Sequence, residues 1–151
     1  MEKLRNTNLD DIQIFNFKGL KTYGKILKNY DGDTADCVII NNDILYRFKI
    51  RMYGYDSPEI KPSLNIENRE EIILKAKEAK YKLWKLTTKT DDYQIHKTLI
   101  KIECGDFDKY GRLLITAYDE NIEELEFSKS INKMMIDEGY GYSYLGGKKN
   151  I

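Results

Sequence analysis

The sequence predicts an α+β domain, mainly β, in which a five-stranded barrel is packed by two helices, and three observations lead there. Short runs alternate apolar with polar residues, one long segment repeats apolar residues at spacings of three and four, and turn-forming clusters such as Asp-Gly and Asn-Asn-Asp separate them. A chain of 151 residues, 41% hydrophobic, has the length of one ordinary domain and the apolar content for one core.

Taken in order, residues 23–28 and 35–40 read as strands flanking Asn29-Tyr30-Asp31-Gly32-Asp33, whose Asp-Gly step favours a hairpin turn. Asn41, Asn42 and Asp43 mark a second turn. Residues 44–55 follow as a third strand, with Phe48, Ile50 and Met52 alternating with Arg47, Lys49 and Arg51. Pro58 and Pro62 bracket an aperiodic polar stretch over residues 57–69. A helix then starts near Glu70, with Ile72, Ala76, Ala79, Leu83 and Leu86 on one stripe and lysines elsewhere.

Residues 87–97 read as a polar connector, residues 99–102 and 112–118 as two further strands, and Ser128 or Ser130 as the N-cap of a second helix that packs Ile131, Met134 and Met135 and stops at Gly139. Three strands, a helix, two strands and a closing helix match an OB-type Greek-key barrel. Residues 1–20 form an amino-terminal extension whose Ile12, Ile14, Phe15 and Phe17 add a strand or cover an edge, and residues 21–151 form the barrel domain.

Lysine plus arginine equals aspartate plus glutamate, 25 against 25, so no bulk positive field draws polyanions to the whole surface. Any polyanion must be gripped locally. Cys37 and Cys104 fall in apolar runs and read as reduced core thiols, while a single histidine, His96, excludes a zinc site of His and Cys and is expected in a surface loop. No apolar stretch near the start has the form of a secretion signal and none later spans a bilayer, which points to a protein kept inside the cell.

Acidic residues gather at strand ends, Asp31 and Asp33 in the first turn and Asp56 and Glu59 after the third strand. Alternation puts Asp33 with Ala35, Cys37 and Ile39, and Asp56 with Phe48, Ile50 and Met52, so both carboxylates start on the inward side. Uncompensated, each buried charge costs several kcal/mol. Oxygen donors with no His or Cys nearby suit Ca²⁺ or Mg²⁺, and the spacing is not that of an EF-hand. Each acidic motif by itself also reads as an ordinary turn or strand exit. Arg51 falls on the face opposite Asp56; a bulge or twist at Gly54, or the reach of the arginine, would be needed to bring the two together.

Asp31-Gly32-Asp33-Thr34, then Arg51 and Asp56-Ser57-Pro58-Glu59, then Asp108-Lys109-Tyr110-Gly111-Arg112 resemble, in type and order, the signatures of the staphylococcal nuclease-like (thermonuclease) family, over residues 23–144. The resemblance implies an OB-type barrel that binds one Ca²⁺ and hydrolyses phosphodiester bonds of DNA and RNA. Carried over by motif position, Asp33 and Asp56 bind the metal through carboxylates and Ser57 through its main-chain carbonyl, where the family usually has threonine. Glu59 orients or deprotonates the attacking water, Arg51 and Arg112 hold the scissile phosphate, and Lys109 and Tyr110 contact a neighbouring phosphate. A base-stacking aromatic is implied among Tyr140, Tyr142 and Tyr144, with Tyr144 as the assigned contact.

The carboxyl end departs from the pattern, since residues 139–151 stop before the family's final helix. Two alternatives stay open. Mg²⁺ or Mn²⁺ could be the working ion in place of Ca²⁺. A noncatalytic OB-type module that binds nucleic acid or protein is the second, favoured by neutral net charge and many tyrosines. No obligate protein partner is evident and a monomer is expected.

Overall fold

Each alternating strand has one apolar face to hide, and five of them hide it in one interior. The computed structural model describes residues 1–93 and 96–143. Its elements run α1 (Glu2–Arg5), β1 (Lys21–Asn29), β2 (Thr34–Asn41), β3 (Ile44–Met52), β4 (Tyr55–Asp56), α2 (Arg69–Thr88), β5 (Ile100–Phe107), β6 (Leu113–Asp119), α3 (Ile131–Asp137) and β7 (Tyr142–Ser143). Strands β1, β2, β3, β6 and β5 close a barrel in that order, antiparallel except for the parallel pair β3 and β6. This is the α+β, OB-type barrel that the pattern of elements predicts. Besides α2 and α3 there is a third, four-residue helix, α1, which buries nothing.

The interior is lined by Ala35, Cys37, Ile39, Ile50, Ile102 and Ile115, all at most 1% exposed. Covering an aliphatic side chain this fully stabilises the fold by roughly 1.5–3 kcal/mol each. Cys37 and Cys104 are free buried thiols, as their apolar context implies. Burial pushes the Cys37 thiol up to about 12, which leaves it an inert packing group.

The two hairpins are built differently. Between β2 and β3, Asn42 and Asp43 both take left-handed conformations, φ 52° and 63°, so short polar residues make the tight primed turn. Between β1 and β2, Gly32 is not left-handed. Its value is the missing side chain, because a Cβ there would lie 2.7 Å from the Cβ atoms of both Ala79 and Ser57. The Asp-Gly step thus gives the predicted hairpin for a different reason, close approach to α2.

The amino-terminal extension adds no strand. Phe17, 7% exposed, plugs the end of the barrel edge-on to Phe48 at 5.4 Å, while Ile12, Ile14 and Phe15 stay exposed. Helix α2 buries the expected Ala76, Ala79 and Leu83, and also Trp84, Thr87 and Thr88. It therefore runs into the segment that reads as a connector, because the Thr87 and Thr88 hydroxyls donate back to the Leu83 and Trp84 carbonyls and lose nothing by burial. His96 is not a loose surface residue either: its Nε2 lies 2.6 Å from the Ile26 carbonyl and its ring meets Trp84 edge-on. Among the described residues no helix is long and apolar enough to cross a membrane.

Candidate functional site

Strand β3 stops at Met52 because the chain turns through Tyr53 and Gly54, the latter left-handed at φ 91°, where any side chain would be strained. The turn is pinned by main-chain and side-chain bonds. Tyr53 donates its N–H to the Ile115 carbonyl at 2.8 Å, and Asn132 on α3 donates Nδ2 to the Tyr53 carbonyl at 2.8 Å. Strand β4 then sets off in a new direction, paired with β7 through Asp56 and Tyr142. Alternation is broken between positions 51 and 56, so Arg51, outward on β3, meets Asp56.

The same arginine meets Asp33. Nη1 lies 2.6 Å from Asp33 Oδ2, and Nη2 bonds Asp56 Oδ1, with all three side chains only 10–11% exposed. Asp33, just before β2, is buried as parity with Ala35 predicts, and Arg51 compensates its charge. Its carboxylate accepts the Ser57 N–H at 2.8 Å and the Thr34 hydroxyl at 2.9 Å. Tyr55, fully buried, donates its hydroxyl to the Gly32 carbonyl at 2.6 Å and so ties β4 to the β1–β2 connection.

Asp31 shapes the connection by accepting the N–H groups of Asp33, at 3.0 Å, and Thr34, at 2.7 Å. Its carboxyl is pushed up to about 6, first by burial and then by the charge of Asp33 beside it. Asp33 and Asp56 share the guanidinium of Arg51, and Asp31 stands beside Asp33, which leaves the cluster short of positive charge. That deficit, together with donors that are all oxygen, fits a hard cation on Asp33, Asp56 and the Ser57 carbonyl. Among the described residues no three Asp, Glu, His or Cys side chains form a ready ligand set. A cation held here would accordingly keep several positions for water or phosphate, as Mg²⁺ habitually does.

The opposite wall comes from the loop between β5 and β6. Asp108 accepts the N–H groups of Tyr110 and Arg112, both at 2.9 Å, and binds Arg112 Nε through Oδ2 at 2.7 Å. Gly111, left-handed at φ 81°, permits the tight turn. Burial raises the Asp108 carboxyl, but the bonds from Arg112 and Tyr110 outweigh it and hold the group below the usual carboxylate range. Arg112 therefore does have the structural ion pair that an arginine at the head of a strand invites. The guanidinium enters that pair through Nε. Tyr110 is 71% exposed, and the Lys109 ammonium and Arg112 guanidinium lie 5.1 and 5.2 Å from its ring centre.

Both walls face one open cleft of ≈ 820 Å³, lined by Asp33, Arg51, Asp56, Ser57, Glu59, Lys109, Tyr110 and Arg112. Glu59 stands exposed at its rim. Of the nine residues singled out by sequence, the fold brings these eight together; the ninth, Tyr144, lies outside the described residues. Tyr140 is partly buried against the core and Tyr142 sits in the bridge to Asp56, so both have packing roles.

Sequence reasoning missed Asp108, Tyr55 and Asn132 as supports of the site. Asp108 was visible within its motif, whereas nothing local marks Asn132, whose amide also accepts from Ala117 N–H and donates to the Ile115 carbonyl. Neither a protein-family model nor a curated protein matches the chain in sequence. The resemblance described above thus rests on the motif residues themselves.

Proposed function

We propose that the protein is a metal-dependent phosphodiesterase that hydrolyses DNA or RNA internally. The observation carrying this reading is the convergence of a buried acid pair, two arginines and a rim carboxylate on one cleft. Glu59 is the general base, taking a proton from the attacking water. Arg51 and Arg112 donate to the nonbridging phosphoryl oxygens, where planar forked donors match the developing charge. Nη1 of Arg51 makes a charge contact with Asp33 but no aligned hydrogen bond, which leaves a buried donor for a phosphate oxygen. A divalent cation on Asp33, Asp56 and the Ser57 carbonyl would supply Lewis-acid stabilisation of the same oxygens.

Magnitudes support dividing the work. A general base contributes about 10²–10⁴ in rate, whereas enzymes reach about 10⁶–10¹⁷ over the uncatalysed reaction. The arginines and cation must supply most of the difference. Ca²⁺ follows from the family resemblance; Mg²⁺ or Mn²⁺ suits a site with few protein donors and, in the intracellular setting we also propose, scarce free Ca²⁺.

The competing reading is a noncatalytic OB-type binding module, favoured by the zero net charge and by the exposed Tyr110 flanked by cations. Incubation of a fluorescent oligonucleotide with Ca²⁺, Mg²⁺, Mn²⁺ or chelator separates the two. Metal-stimulated cleavage is expected; an oligonucleotide that is bound but never cut under any ion would favour the module.

A further inference from the structure

We propose that the outward face of β1, β2 and β3 is a second polyanion site, in which Lys28, Lys49 and Arg47 receive the backbone of a single nucleic-acid strand leaving the cleft. The inference rests on the nucleic-acid reading above but concerns residues outside the cleft. On β3 the outward positions are Arg47, Lys49 and Arg51, since Phe48 turns towards Phe17 and Ile50 is fully buried. Arg51 ends in the cleft. Lys49 and Arg47 continue the same row away from it, each step of two residues covering about 6.5–7 Å of extended chain. Lys28 lies in the row beside them, because Asp36 pairs with both Lys28 and Lys49 in the strand register.

These cations are organised rather than loose. The Lys28 and Lys49 ammonium groups lie 5.1 and 4.5 Å from the centre of the Tyr30 ring. The Tyr30 hydroxyl donates to Asp36 Oδ1 at 2.9 Å, and Arg47 donates to Asp36 Oδ2 at 2.6 Å. Asp36 is buried and commits both oxygens to this network. Three cations therefore surround one carboxylate on an exposed sheet face, a surplus of two positive charges in a chain whose total is zero. Like charges gathered around one ring repel each other, and a bound phosphate relieves that repulsion. A row along one strand that begins at the phosphate-gripping arginine suits the backbone of one extended strand, with affinity arising from charge neutralisation.

The test compares the full-length Lys28→Gln/Lys49→Gln variant with wild type and with Lys129→Gln/Lys133→Gln, which removes equal charge near α3. Binding of a labelled oligothymidylate of about 20 nucleotides is measured in chelator across a salt series, with a dithymidylate that reaches only the cleft as the short probe. The expected result for the first variant is about tenfold weaker binding of the long strand and a log–log salt slope flatter by about 1.4, with unchanged dithymidylate affinity. The second pair should behave as wild type. Wild-type affinity and slope in the first variant, or equal loss in both, would overturn the proposal. Cleavage assayed in parallel keeps the two readings apart: absent turnover with the expected binding loss removes the catalysis and leaves the strand site, normal turnover without the loss does the reverse, and a wild type that binds no oligonucleotide ends both.

Discussion

The two walls of the cleft differ in how deeply the fold is invested in them. On one, Asp33, Asp56 and Ser57 are buried and Arg51 nearly so, and they are bonded to each other at the junction of β2, β3 and β4. On the other, Lys109, Tyr110 and Arg112 ride on a short loop that is anchored through Asp108 and open to solvent. On the proposed function, a residue on the first wall would serve stability and chemistry together, whereas one on the second could be altered with the fold intact.

Arg51→Ala is the sharpest way to break this contrast. It leaves two buried carboxylates without their cation, and a loss of about 3–5 kcal/mol is expected in urea unfolding with chelator present. Arg112→Ala should cost about 1 kcal/mol or less, its pair being part-exposed, yet both variants should lose phosphodiester cleavage. Equal destabilisation by the two would erase the distinction between the walls. Gly32→Ala comes next in size, because the added methyl meets Ala79 and Ser57 at 2.7 Å. Overpacking of about 1–3 kcal/mol should appear as a lowered melting temperature, with weaker metal binding if Ser57 is displaced.

A pH series refines the first wall further. With its folded pKa raised to about 6 from an unfolded value of 3.8, Asp31 holds its proton more tightly in the native state. Its favourable contribution is complete below the unfolded pKa and is lost as pH rises to about 6. Melting temperatures measured in chelator should therefore show Asp31→Asn gaining on wild type between about pH 4 and 6 and holding that gain above. Parallel profiles would mean that burial and the charge of Asp33 do not raise the Asp31 carboxyl. The smallest effect is expected at Tyr110, where exposure predicts unchanged stability for Tyr110→Leu and a modest rise in KM alone.

Much of this was legible in the residues. Alternation located all five barrel strands and helical spacing found α2 and α3, because each rule reports a local face that must be buried. The parallel join of β3 to β6 was not marked locally, since it pairs segments about 60 residues apart (Arg51 with Leu114). Parity separated Arg51 from Asp56, as alternation describes residues within one strand and Asp56 lies on β4, past the turn that ends β3. Gly54 was a visible hint of the break, but the bonds that hold it come from Asn132 and Ile115, far along the chain. Gly32 was read as a turn former when its contribution is the close approach of α2, a contact between distant segments.

The central claim is that this cleft cuts nucleic acid with Glu59 as its base, and single-turnover cleavage of a labelled oligonucleotide by wild type and Glu59→Gln tests it most directly. The account predicts cleavage that requires a divalent cation, a fall of about 10²–10⁴ in rate for Glu59→Gln, and unchanged oligonucleotide affinity and melting temperature. Equal rates in the two proteins would contradict the role of Glu59, and no cleavage by wild type with any of Ca²⁺, Mg²⁺ or Mn²⁺ would contradict the claim itself.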